Sequence, residues 1–127
     1  MSIASKSITV YVGDALAAYG FGEGHPFGPD RLHAFWERMQ ALGLDSRVDI
    51  REPVQATETQ ILRFQDKDYL ERVKAQSLSG SGYLDAGDTP AFKGVFEAAS
   101  TGGGTVLAAR AAGFSGPCRP ACVPRAG

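Results

Sequence analysis

The chain is short of the side chains that bind metals and attack bonds. Its 127 residues hold two histidines, His25 and His33, and two cysteines, Cys118 and Cys122. A structural zinc site takes four such ligands. The cysteine pair supplies two, set among prolines, so free thiols are the expected state there. No serine stands in a G-x-S-x-G elbow, which removes the case for a Ser-His-Asp nucleophile. No apolar run approaches the roughly 18 residues of a membrane span. A charge excess is also missing, with 13 basic against 14 acidic residues and a net charge of −1. That gives no electrostatic reason to expect nucleic acid or an anionic membrane as a partner. The opening MSIASKSITVYVG has one lysine and a brief apolar stretch, so it reads as a first strand and not a secretory signal. A cytoplasmic location is the expectation.

What is present suits one soluble domain with a small core, at 43% hydrophobic and 21% charged residues. Ile8–Val12 is β-branched and aromatic and ends at Gly13-Asp14, a strand followed by a turn. Leu32, Phe35, Trp36, Met39 and Leu42 recur at spacings of three and four, which puts them on one helical face that needs cover. Pro29 and Asp30 start that helix and Gly43 stops it. Arg47–Glu52 alternates Val48 and Ile50 with charges and reads as a second strand. Thr57 with Gln60 forms a capping box for a short helix, and Asp66 caps another through Tyr69, Leu70 and Val73. Residues 77–90 read as a loop rich in Gly, Ser and Asp. A helix from Phe92 is interrupted at Gly102-Gly103-Gly104, since each glycine costs about 1 kcal/mol of helix stability relative to alanine. The expected domain covers residues 1–112, and 113–127 read as an irregular tail containing proline and cysteine.

The densest local signal is YGFGEGHPFGPDR, residues 19–31. A phosphate cradle needs glycines directly before a helix N-terminus, but His25 replaces the third small residue and two prolines remove donors. A metal site needs three spaced ligands; Glu23, His25, Asp30 and His33 are close in sequence on a path that the prolines hold extended. A pocket wall explains more. Glycines permit close backbone approach, prolines stiffen the path, and Arg31 can present a fixed positive charge to a cleft.

The run G-E-G-H-P-F-G-P-D-R resembles the first active-site loop of the histone deacetylase superfamily, where G-x-G-H-P-[large apolar]-x-P-x-R recurs. IREPVQATETQILRFQDKDYLERV is similar to that family's second strand and the helices after it. GYLDAGDTPAFKGVFEAASTGGGTVLAA resembles the class II and acetylpolyamine amidohydrolase-like branch. The resemblance implies an arginase/deacetylase-type α/β fold, here a partial and helix-rich one with about two parallel strands. It implies a zinc-dependent hydrolase of acetyl-lysine or acetylated polyamines. By the same match Phe21, Gly22, Gly24, His25, Pro26 and Phe27 are pocket-wall residues. Arg31 is the cation of an inner cavity suited to acetate. Asp85 or Asp88 lies on the substrate rim.

The departures from the family pattern bear on function. Gln65 stands where a histidine is common. CVPRAG resembles the start of the segment that leads to the family's catalytic His-His pair. The family's pair itself, its Asp-x-His and further Asp zinc ligands, and its carbonyl-polarising tyrosine find no counterpart. The expectation is therefore a truncated deacetylase-like domain with no catalytic residues, no zinc and no deacetylase activity, a folded fragment or interaction module. One alternative is a small amide or ester hydrolase whose site is assembled in an oligomer from His25, His33 and nearby acids. Another is a small anion-binding module built on the Gly/Pro loop and Arg31, taking an acetate-like small molecule. Two parallel strands within this length leave an open edge, so a homodimer is expected.

Overall fold

The computed structural model describes residues 8–21, 28, 30–115 and 120–124. Three parallel strands form its sheet. β1 (Thr9–Tyr11) is central and wholly buried. Its β-branched and aromatic side chains suit a strand covered on both faces. β2 (Asp49–Arg51) pairs on one side with Val10 opposite Ile50, and β3 (Ala121–Cys122) on the other with Val10 opposite Cys122.

Parallel strands need a crossover, and helices provide it. Between β1 and β2 run α1 (Asp14–Ala17), α2 (Asp30–Ala41) and a 3-10 turn at Leu44–Arg47. Gly43, at φ 71°, makes the left-handed stop after α2 that the sequence places there. Between β2 and β3 run α3 (Glu58–Ile61), α4 (Lys67–Ser79) and α5 (Val95–Ser115). Both predicted caps form. Thr57 and Gln60 make the reciprocal box, and the Asp66 carboxylate accepts from Tyr69 N–H at 2.7 Å.

The core gathers Tyr11, Leu16, Ala17 and Leu32, with Phe35, Ala109 and Val123 packed against it. The stripe on α2 is only partly covered. Leu32 is buried and Phe35 reaches the core, but Leu42 is 54% exposed. The principal neighbours of α2 are α1 and the 3-10 turn, too little surface to cover the whole face.

Three boundaries differ from the sequence reading. α4 continues through Ser79, so the Gly/Ser-rich segment becomes a loop only at Gly80, which takes φ 70°. α5 passes unbroken through Gly102–Gly104. The backbone of residues 54–56 crosses α5 at Gly104, where a Cβ would collide with Ala56 N and Val54 O. Ala56 N–H donates to Ser100 O at 2.9 Å, and the Thr105 hydroxyl accepts from Val54 N–H at 2.9 Å. Those bonds and that close approach offset the glycines' poor helix propensity. Finally, β3 lies inside the stretch read as irregular. A two-residue strand in a proline-rich stretch gives no periodicity to detect, yet Pro120 O accepts from Thr9 N–H at 3.1 Å and brings the segment into the sheet.

Candidate functional site

Of the expected wall residues, Gly22, Gly24, His25, Pro26 and Phe27 lie outside the described residues. Phe21 and Arg31 flank them. Phe21 belongs to an aromatic trio with Tyr19 and Phe92. The ring centroids are 5.2 Å apart for Tyr19–Phe21, 5.9 Å for Tyr19–Phe92 and 6.1 Å for Phe21–Phe92, all edge-to-face. Such pairs stabilise by about 0.5–1.5 kcal/mol beyond area burial. The trio fixes the entry to the Gly/Pro loop against the segment before α5. The resemblance singles out Phe21, but its ring partner Phe92, 71 positions on, carried no local signal. Arg31 occupies the first turn of α2, is exposed, and its N–H donates to Gly28 O at 3.4 Å.

The two rim candidates separate by geometry. One oxygen of Asp85 accepts from the backbone N–H of Gly87, Asp88 and Thr89 at 3.0, 2.9 and 2.8 Å, and the other accepts from the Thr89 hydroxyl at 2.9 Å. These donors, Gly87 N–H foremost, hold its carboxyl down to about pKa 2. Asp85 is committed to shaping its own loop. The Asp88 carboxylate is exposed and has no hydrogen bond or ion pair among the described residues. The loop is also tied at its base. Leu84 N–H donates to Thr89 O and Ala91 N–H to Gly82 O, both at 2.8 Å. Arg72 of α4 donates to Tyr83 O at 2.7 Å, and Gln76 does so at 3.1 Å. The D-A-G-D-T spacing was the available signal, since Asp bonds backbone amides two or more residues ahead.

An apolar cleft of about 540 Å³ opens between α3, α4 and α5, with Phe64, Tyr69, Phe96, Gly103 and Tyr19 among its lining residues. A smaller one, about 220 Å³, lies beside the end of β1 and is lined by Val12, Asp14, His33 and Trp36. There His33 Nε2 is 3.6 Å from Asp14 Oδ1, with both side chains mostly exposed. Sequence spacing did not pair these two.

The described residues form no zinc centre. Among the described residues no three His, Cys, Asp or Glu side chains come together to hold a metal ion. The full sequence contains no adjacent histidines and no Asp-x-His. Cys122 is half-buried and unbridged, and burial pushes its thiol up, away from the thiolate that metals prefer.

Residues 25–126 match the sequence model of the histone deacetylase domain. The chain is similar to a histone deacetylase-like amidohydrolase of Pseudomonas aeruginosa, 32% identical over 93 residues, which is 73% of this chain and 24% of that protein. Its fold is that of the crystal structure of the HDA15 HD domain, with a TM-score of 0.85 at 19% identity, covering 98% of this chain and 36% of the other. This chain thus spans about a quarter of the curated relative and about a third of the solved one.

Proposed function

The chain belongs to the histone deacetylase family, and from that premise we propose that it forms the wall and rim of a deacetylase-type substrate site and does not itself hydrolyse acetyl-lysine. The observation that carries this reading is the donor set. Zinc hydrolysis needs a metal that brings bound water to a pKa of about 7 and a base within hydrogen-bond reach. Among the described residues no three His, Cys, Asp or Glu side chains come together to hold that metal, and the sequence has no Asp-x-His. Fold alone does not replace them.

In this reading the chain's own residues orient. Phe21, braced by Tyr19 and Phe92, holds the entry of the Gly/Pro loop. Asp85 folds the rim loop so that the Asp88 carboxylate stays in water, where it can accept hydrogen bonds from a cationic or amide-bearing substrate. The test is turnover of an acetyl-lysine peptide and an acetylated polyamine with zinc added. The expected result is no hydrolysis above the blank. Hydrolysis that a chelator abolishes overturns the reading.

One observation favours a second reading, a small amide or ester hydrolase. His33 and Asp14 pair beside a cavity that follows the carboxyl end of β1, and ligands of open parallel sheets bind at the carboxyl ends of strands. Turnover that survives chelator but vanishes in His33→Ala supports it.

A further inference from the structure

The cleft between α3, α4 and α5 has the size and lining of a site for one drug-sized molecule, at about 540 Å³. Four aromatic rings line it, those of Tyr19, Phe64, Tyr69 and Phe96. Among the described residues no acidic, basic or histidine side chain does. Phe64 is 89% exposed although it lines the cleft, so its ring has almost no cover within the chain. Lys74 lies over the Phe96 ring, 5.9 Å from its centroid, but Glu58 at 3.2 Å and Glu71 at 3.7 Å balance its charge. A charged occupant would be desolvated here with no partner, which is costly. An uncharged one is not penalised.

Ser100 supplies an independent observation. It lies on α5 four residues after Phe96 and three before Gly103, so the three share one helical face. All three line the cleft. Ser100 is only 5% exposed. Its carbonyl accepts from Ala56 N–H, but its hydroxyl has no hydrogen bond among the described residues. Thr105, on the same helix, turns its hydroxyl back to the Thr101 carbonyl at 2.7 Å; Ser100 does not. Nor is the hydroxyl sealed in. Gln76 Oε1 is the one fully enclosed side-chain polar atom without a partner among the described residues. Ser100 Oγ therefore still meets open space, and the space that Ser100 lines is the cleft. Gly103 leaves room beside it, since a Cβ there would meet nothing within 4 Å.

We propose that this cleft binds a neutral aromatic molecule of drug size that carries one hydroxyl or carbonyl. Its rings lie among Tyr19, Phe64, Tyr69 and Phe96, where edge-to-face contacts suit the lining. Its polar group pairs with Ser100 Oγ, which can donate one hydrogen bond and accept two. That bond fixes the orientation, and the apolar walls supply most of the affinity. The site goes beyond the functional reading above and does not depend on it, because Phe21, Asp85 and Asp88 do not line this cleft.

The experiment titrates the full chain with three probes of one shape, para-phenylphenol, biphenyl and para-phenylbenzoate. Binding is read by calorimetry and by the amide resonances of Ser100 and Gly103, size by sedimentation, and fold by circular dichroism. Para-phenylphenol is expected to bind 1:1 and to move both resonances. Para-phenylbenzoate should bind at least tenfold more weakly. Ser100→Ala should weaken para-phenylphenol by about three- to tenfold, the worth of one hydrogen bond, and leave biphenyl as it was. Gly103→Leu places a side chain in the cleft and improves helix propensity. It should abolish binding of every probe while the fold persists. Gly113→Leu, on the same helix but outside the cleft, should change nothing. No saturable binding of para-phenylphenol overturns the proposal. So does binding that survives Gly103→Leu, a benzoate that binds as tightly as the phenol, or a phenol affinity that Ser100→Ala leaves unchanged. A dimer of this chain whose interface keeps the probes out overturns it as well.

Discussion

Asp85 and Asp88 stand three residues apart and have opposite fates. Four donors converge on Asp85, and none on the Asp88 carboxylate among the described residues. The sequence marks both as acids in a Gly-rich loop. It does not say which one the backbone amides enclose, because that depends on the loop closing through Leu84, Thr89 and the Tyr83–Pro90 bridge. The consequence is a pH dependence with a fixed sign. The folded pKa, about 2, lies below the ordinary 3.8. The stabilisation is therefore complete above about pH 3.8 and is lost as pH falls toward 2. Amide resonances of Gly87 and Thr89 followed from pH 6 to pH 2 should move with the lower midpoint. Asp85→Asn should remove that acid-side transition and leave the spectrum at neutral pH near that of the wild type. An unaltered transition in the variant would place the titration elsewhere.

Among the elements, α5 shows how far local propensity can be overruled. Three consecutive glycines read as a break, and a window of sequence contains nothing to contradict that. The contradiction comes from residues 54–56, about fifty positions earlier, which lie against Gly104 and bond to Ser100 and Thr105. Caps and stops were legible, because Thr57, Asp66 and Gly43 act within four residues of themselves. The long-range tack was not. The two neighbouring glycines should respond in opposite directions. Gly103→Ala, in open space, should raise stability by about 0.5–1 kcal/mol through helix propensity. Gly104→Ala should lower it by about 1–3 kcal/mol, as overpacking does. Urea denaturation of both variants checks this. Equal effects would mean that the crossing at residues 54–56 does not constrain the helix.

At the scale of the whole molecule, the family pattern was readable because several motifs occur in the correct order, and the parallel sheet with flanking helices follows from it. The third strand was not readable. Ala121–Cys122 is too short to alternate, and its place is set by Thr9 N–H reaching Pro120 O. Nor does a stripe such as Leu32 to Leu42 reveal how much of it finds cover; only Leu32 of that series is buried. The central claim is that this arrangement holds its shape on its own packing and hydrogen bonds, with a substrate wall and no metal centre. The most direct measurement is the zinc content of the purified chain, taken with its thermal unfolding before and after chelation. The account predicts far less than one zinc per chain and the same unfolding midpoint in both conditions. One tightly held zinc per chain, with structure lost when it is removed, would contradict it.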